Sequence, residues 1–455
     1  MAEQMQENKM GTMPVHRLLI SMALPMMISM VVQALYNIVD SIFVSWLNED
    51  AFTAVSLAFP MQNFMIAVAS GTGVGMNALL SKSLGEKKQD LASKAAMNGI
   101  FLAICSWLFF CIIGLFFVPA FMHAQTNTQA VYEYGCSYLY ICLFCCLGCF
   151  GQITMERLLQ STGKTFYSMI VQASGAIVNI ILDYILIFPC GLGVRGAAIA
   201  TVIGQAVGLS LGIFFNIKVN KEIQLSLRGL RPDLKVIGKI YAVGLPSIVM
   251  GSIGSVMTFF MNMILKVYAS ATAVFGAYFK VQSFIFMPVF GLNNAMVPIV
   301  AYNYGAKKPK RITKTIKISI VYAVGMMLVG LAAFQLIPEL LLQMFEASPA
   351  MLELGAPAFR TISLSFLFAG FCIIAGSVFQ AMGKGMFSLA VSVVRQLVVL
   401  VPVAYLLSLS GIVDYIWWAF PIAEIFSMTL SAIFLYRVYK KEIKPLGRET
   451  QSVVQ

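Results

Sequence analysis

Residues 175–189 read GAIVNIILDYILIFP. The stretch is apolar enough to lie in a bilayer, yet it carries Asn179 and Asp183. Four residues apart, the two share one face of a helix. A carboxylate in hydrocarbon costs several kcal/mol unless it is paired, cation-bound or protonated, which makes Asp183 a functional residue by default. The surroundings agree with a membrane setting. Of 455 residues, 59% are hydrophobic and 11% charged, with 28 Met and 34 Phe, and apolar runs of membrane-spanning length recur throughout. About 20 such residues suffice for a helix to cross ~30 Å of hydrocarbon. These observations exclude a set of soluble domains and define a polytopic α-helical membrane protein. The opening MAEQMQENK is polar and the first apolar run is too long for a secretory signal.

Outward from helix 5 (165–189), the apolar runs predict helix 1 at 15–46, helix 2 at 52–81, helix 3 at 91–118, helix 4 at 130–160 and helix 6 at 194–218. After the polar linker come helix 7 at 235–265, helix 8 at 271–303, helix 9 at 312–342, helix 10 at 350–382, helix 11 at 386–408 and helix 12 at 416–438. The expected organisation is a cytoplasmic tail (1–14), an N-lobe of helices 1–6 (15–219), a cytoplasmic linker (220–234), a C-lobe of helices 7–12 (235–440) and a second cytoplasmic tail (441–455). Basic residues test this count. Of the 31 Lys and Arg, 26 fall in the segments on the side of the N-terminus, and only Arg195 and Lys266 in the opposite loops. That bias places both termini in the cytoplasm and explains the net charge of +12 without nucleic acid. The nine cysteines lie mostly in apolar runs. Cys146 and Cys149 form a CxxC without a second pair at metal spacing, so they read as small buried hydrophobes.

The chain repeats itself. A shift of 220 residues aligns SLGEKK (83–88) with NYGAKK (303–308), QSTGK (160–164) with QAMGK (380–384), Gln62 with Gln282, and Gly71 with Gly291. ALP at 23–25 faces GLP at 244–246 with one more residue of shift. Each unit holds six helices, so both have the same orientation. The expected fold is all-α: twelve transmembrane helices in two six-helix bundles related by a pseudo-twofold axis along the membrane normal. The ionisable chemistry is not repeated. Asp40, Asn179, Asp183, Thr201 and Glu156 face Met261, Val399, Val403, Pro421 and Gly376, while Lys280, Arg395 and Glu424 face Pro60, Gly175 and Gly204.

At ~1.5 Å per residue, Asp40, Asp183 and Thr201 fall at nearly one depth in the outer half of the membrane, with Asn179 one turn deeper. Gln33, Asn37 and Asp40 share a face of helix 1, and Tyr36 lies one turn from Asp40. Two carboxylates, an amide and a hydroxyl suit a small hard cation, and equally suit a shared proton, because two close carboxylates in low dielectric do not both stay ionised. For Thr201 alone, a bond to the carbonyl one turn back is the simpler reading. Gln33 and Asn37 serve equally as structural hydrogen-bonders or as cavity lining. Glu156, beside Arg157, reads as a snorkelling partner or as a cavity acid. Arg395 and Glu424 reach similar depth on adjacent helices and read as a structural ion pair. Lys280 either snorkels or places a positive charge in the cavity.

With these residues in place, the chain resembles the MATE (multidrug and toxic compound extrusion) family over nearly its whole length. The resemblance is carried by ALP and GLP, YNIVDSIFV in helix 1, QSTGK, NIILDYILIF in helix 5 and AYNYGAKK after helix 8. The confinement of deep acids other than Glu424 to the first half is similar to the DinF-like branch. That likeness implies a cation site at Asp40, Asn179, Asp183 and Thr201, with Glu156 near the drug cavity. It also implies cation-coupled export of amphipathic, often cationic, compounds. The expectation is therefore a monomeric, multi-pass antiporter of the inner (cytoplasmic) membrane. It would exchange Na+ or H+ for small organic solutes among membrane lipids, with no cofactor and no metal beyond a possible coupling Na+. A flippase for a lipid-linked cell-envelope precursor is the neighbouring reading. It would need several deep basic residues for pyrophosphate, and only Lys280, Arg360 and Arg395 lie within spans. A channel lacks its pore-lining ring. An enzyme lacks a usable His pair, since His16 and His123 lie near the N-terminus and in an outer loop.

Overall fold

A computed structural model describes residues 7–225, 231–268, 270–344 and 348–446. Parts of the two expected tails (1–6 and 447–455), of the linker (226–230) and of the loop before helix 10 (345–347) lie outside the described residues. Ten continuous helices and two bent ones are long and apolar enough to cross a bilayer, twelve spans in all among the described residues. They are helix 1 (Val15–Ser45), helix 2 (Glu49–Gly85), helix 3 (Gln89–His123), helix 4 (Gln129–Phe144 and Leu147–Ser161), helix 5 (Thr165–Ile187) and helix 6 (Gly193–Lys218). The second set is helix 7 (Leu234–Leu265), helix 8 (Ala271–Gly305), helix 9 (Pro309–Leu336), helix 10 (Pro349–Ser363 and Phe366–Ala381), helix 11 (Gly385–Ser408) and helix 12 (Val413–Leu446).

The repeat is visible in local geometry. Helix 4 bends by 47° and helix 10 by 49°, at breaks that the 220-residue shift brings to within one residue of each other. The QxxGK pair has a common cause. Gly163 and Gly383 end their helices in the left-handed region, at φ of 82° and 79°. Lys164 N–H then bonds back to Leu159 O at 2.7 Å, and Lys384 N–H to Phe379 O at 2.7 Å, capping the free carbonyls. The GEKK and GAKK turns match as well, with Lys87 and Lys307 both at positive φ.

Some expectations are corrected. Helix 9 ends at Leu336 rather than 342, because Pro338 has no N–H to continue the ladder and instead starts a separate turn, Pro338–Gln343. Helix 11 carries a π-helical segment, Val394–Leu400, directly before Pro402, which cannot take a normal helical bond. The described part of the N-terminal tail is packed structure. Lys9–Thr12 form a helical turn, and Met10 is fully buried. Asn8 bonds Thr162 O and Glu222, while Met10 O accepts from Asn303 and Arg311. This strap therefore ties both halves together on the face that carries the termini and most basic residues.

The halves meet through helix 1 against helix 8 and helix 2 against helices 7 and 8. The tightest approach is a twofold-related crossing. A Cβ at Gly85 would stand 1.9 Å from Tyr302 O, and one at Gly305 would stand 2.1 Å from Lys82 O. The two helix ends reach this distance only because both residues lack a side chain. Gly75 likewise lies against Ile240 O, and Gly291 against the backbone of Met27. All of these contacts lie in the helix halves nearer the basic face, so the two bundles are sealed there.

Candidate functional site

Helix 5 presents Asn179 and Asp183 one turn apart, both buried, toward helices 1 and 6. Helix 6 can approach this closely because Gly204 leaves no side chain between the two: its missing Cβ would stand 2.7 Å from Gly175 O and 3.0 Å from Asn179 Cβ. Asn179 Nδ2 donates to Thr201 Oγ1 at 3.2 Å. The carboxyl group of Asp40, from helix 1, meets that of Asp183. The Tyr36 hydroxyl reaches Thr201 from the same face of helix 1. Asp40, Asn179, Asp183, Thr201 and Tyr36 are thus one cluster.

The cluster is rich in acceptors that lack donors. Asp40 Oδ1, Asn179 Oδ1 and both Asp183 oxygens are buried and accept no hydrogen bond from the protein. Asp183 is fully enclosed. Burying such groups unpaired costs several kcal/mol in total, so the arrangement calls for a positive occupant. Among the described residues no group of three His, Cys, Asp or Glu side chains could hold a metal ion. The donor set here is instead mixed carboxylate, amide and hydroxyl oxygen, which matches a small hard cation or a proton.

The other candidate residues stand apart from this cluster to differing degrees. Gln33 donates to Asn37 Oδ1 at 3.3 Å and accepts from Gln172 Nε2 at 3.1 Å, joining helices 1 and 5. Glu156 is buried and accepts from Gln152 Nε2 at 2.9 Å. Its neighbour Arg157 does not snorkel. It donates to Gln160 at 3.0 Å and to Asn294 of helix 8 at 3.1 Å, across the seam between the bundles. Lys280 is exposed. Arg395 Nη1 lies 3.5 Å from Glu424 Oε2, with Glu424 buried and Arg395 half-buried.

Three residues near the cluster went unmarked in the sequence. Tyr138 and Cys142 of helix 4 approach Asp40, and Gln62 of helix 2 donates to the Tyr138 hydroxyl at 3.0 Å. Only Gln62 carried a signal, its alignment with Gln282 in the repeat.

Comparison with known proteins agrees with this architecture. The MatE family model matches residues 25–185 and again 246–406, two copies offset by 221 residues. The chain is 28% identical over 423 residues to the multidrug export protein MepA of Staphylococcus haemolyticus, covering 91% of this chain and 92% of that one. It is 25% identical over 411 residues to MepA of Staphylococcus aureus strain MRSA252, covering 89% and 90%. Among solved structures, an outward-facing multidrug resistance MATE transporter of the MOP superfamily superposes with a TM-score of 0.91 at 23% identity, covering 98% of this chain and all of that one. A MOP superfamily transporter from Pyrococcus furiosus superposes with a TM-score of 0.87 at 24% identity, covering 96% and 100%. With twelve spans, two matched repeats and this two-lobed fold, the chain belongs to the MATE family of membrane transporters.

Proposed function

We propose that this protein is a secondary active multidrug exporter of the DinF-like branch. It exchanges Na+ or H+ for amphipathic, often cationic, organic compounds by alternating access. The observation that carries the reading is the meeting of Asp40 and Asp183, with donorless oxygens on both and on Asn179. An ion or proton neutralises this group, and its departure leaves repelling charge in low dielectric. Occupancy of the N-lobe site thereby biases helices 1, 5 and 6, and through helix 1 the contact with helix 8. Export of compounds unlike one another also agrees with the names of the MepA relatives.

In this reading the bodies that move are an N-lobe at 15–219 and a C-lobe at 235–440, joined by a linker at 220–234. The tails lie in the cytoplasm of a bacterial inner-membrane monomer surrounded by lipid. Sealing at the basic face then corresponds to an outward-facing state. Glu156 lines the drug path and favours cationic cargo, as do Gln33, Tyr36 and Asn37 by hydrogen bonding, while Lys280 acts at the rim. The flippase reading is weaker on specific grounds. Lys280 and Arg360 are exposed, Arg395 is paired with Glu424, and Arg157 is held by Gln160 and Asn294, so these deep basic residues form no cluster that would carry a lipid-linked pyrophosphate across the membrane.

The test is transport of a fluorescent cationic dye in proteoliposomes under imposed Na+ and H+ gradients, applied separately. Dye movement driven by one of them is expected, with Glu156→Gln weakening cationic cargo more than neutral cargo. Movement driven by neither, or translocation of a labelled lipid precursor without dye transport, would overturn the proposal.

A further inference from the structure

On the basic face, in the seam between the bundles, lies a cavity of about 450 Å³. Lys82, Glu86 and Lys88 line it from the first half, and Lys239, Tyr304 and Lys384 from the second. The lysines are arranged rather than loose. Glu86 holds Lys88 at 2.8 Å and Lys82 at 3.9 Å. Lys82 also sits 5.0 Å over the Tyr304 ring. Glu442, behind the wall, takes Lys384 at 3.1 Å and the Tyr304 hydroxyl at 2.7 Å. Lys239 makes no ion pair among the described residues. Each ammonium has three donors, so the paired lysines keep N–H groups for a ligand.

We propose that this cavity binds a phosphate-bearing anion. Four ammonium groups against Glu86 in the lining and Glu442 behind it leave the cavity net positive, which repels a cationic cargo, so it is no chamber for such a solute. Its volume falls in the range of small-molecule sites, roughly 300–1,000 Å³. Basic pockets between spans on this kind of face suit phospholipid headgroups, and the same chemistry suits a soluble polyphosphate. Because both halves supply lysines, the complete site exists only while the seam is closed. The anion therefore favours the sealed state by its differential affinity for it. This inference stands independently of which ion drives transport.

The experiment uses the purified full chain in phosphatidylcholine nanodiscs, titrated with inorganic pyrophosphate at matched ionic strength. A second arm replaces phosphatidylcholine with phosphatidylglycerol. Melting temperature and affinity are read in the parent protein, Lys239→Gln and Lys88→Gln. Lys239 is exposed and unpaired, so its substitution strands no carboxylate. A rise in melting temperature with pyrophosphate alone identifies a soluble ligand, and one with phosphatidylglycerol alone identifies a headgroup. In either case each variant should bind about tenfold more weakly, the loss of one charge-assisted hydrogen bond. No response in either arm, an equal response to chloride, or unchanged affinity in both variants would overturn the proposal.

Discussion

The two halves share a scaffold and differ in how they treat buried charge. In the first, Asp40 and Asp183 face each other with Asn179 alongside, no basic residue pairs with either, and Asp40 Oδ1, Asn179 Oδ1 and both Asp183 oxygens find no donor in the protein among the described residues. In the second, the positions equivalent to Asp40, Asn179 and Asp183 are Met261, Val399 and Val403. The deep acid there, Glu424, has Arg395 3.5 Å from its Oε2, so its charge is paired even though its Oε1 accepts no hydrogen bond. A carboxylate neutralised from within has no need of an exchangeable ion. One left without a partner does. The comparison thus separates a half whose deep acid has a basic partner from a half whose deep acids have none, and under the proposed function the latter is the half that loads and releases an ion.

Outside the acid cluster itself, the largest effect should come from the scaffold the halves share. Gly85→Val and Gly305→Val each put a Cβ into the other helix's backbone. Overpacking costs about 1–3 kcal/mol and falls on the sealed state alone, so transport should drop about ten- to hundredfold in each. The symmetry of the crossing predicts effects within roughly a factor of three of one another. Transport per folded protein, normalised by size exclusion, checks this. A large effect at one glycine and none at its mate would break the symmetry.

A smaller effect is expected at the neutralised pair. Neutralising Arg395 or Glu424 singly should cost about 2 kcal/mol of stability, less than for a fully buried pair because the Arg395 side chain is 28% exposed. Exchanging the two charges should recover most of that loss. Thermal unfolding in detergent reads both. Unchanged stability in the single variants would return Glu424 to the set of exchangeable acids and blur the contrast between the halves.

The smallest effect concerns the strap where the halves are tied. Burial raises the Glu222 carboxyl above its ordinary value of 4.5, while the bond from Lys308 holds Glu7 below it. Acidification from neutrality first protonates Glu222. That removes a buried charge, so its contribution to stability grows as pH falls through the raised value. The Glu7 contribution is full above 4.5 and is lost as pH falls through the depressed value. Amide protection in residues 8–13, taken relative to the intrinsic exchange rate at each pH, should therefore rise modestly on mild acidification and fall once the pH passes below 4.5 through the depressed Glu7 value. Protection that falls steadily from neutrality would contradict this assignment.

Span number, repeat and candidate cluster were legible in the sequence because each depends on composition or spacing. Twenty apolar residues announce a span whatever they pack against, and Asp183 is conspicuous in GAIVNIILDYILIFP. Features created by tertiary contact were not legible. Tyr138 reads as one more aromatic in an apolar run until helix 4 brings it to Asp40. Arg157 reads as a snorkelling cation until Asn294 appears across the seam. The polar start of the chain hides Met10, whose burial needs the groove between the halves. Pro338 and Pro402 did carry a signal, since each lacks the N–H that a continuous helix needs, and the structure breaks or widens the helix beside each.

The most direct test of the central claim is ion-gradient-driven efflux by Asp183→Asn, normalised to folded, inserted protein. Asn keeps the shape and removes the charge, so the cluster has nothing to load and release. Coupled efflux should fall at least about hundredfold while cargo binding persists. Asp40→Asn should match it, and the double variant should be little worse than either, because the two carboxyls act as one unit. Efflux by Asp183→Asn at the parent rate would contradict the account and move the exchangeable charge out of the first half.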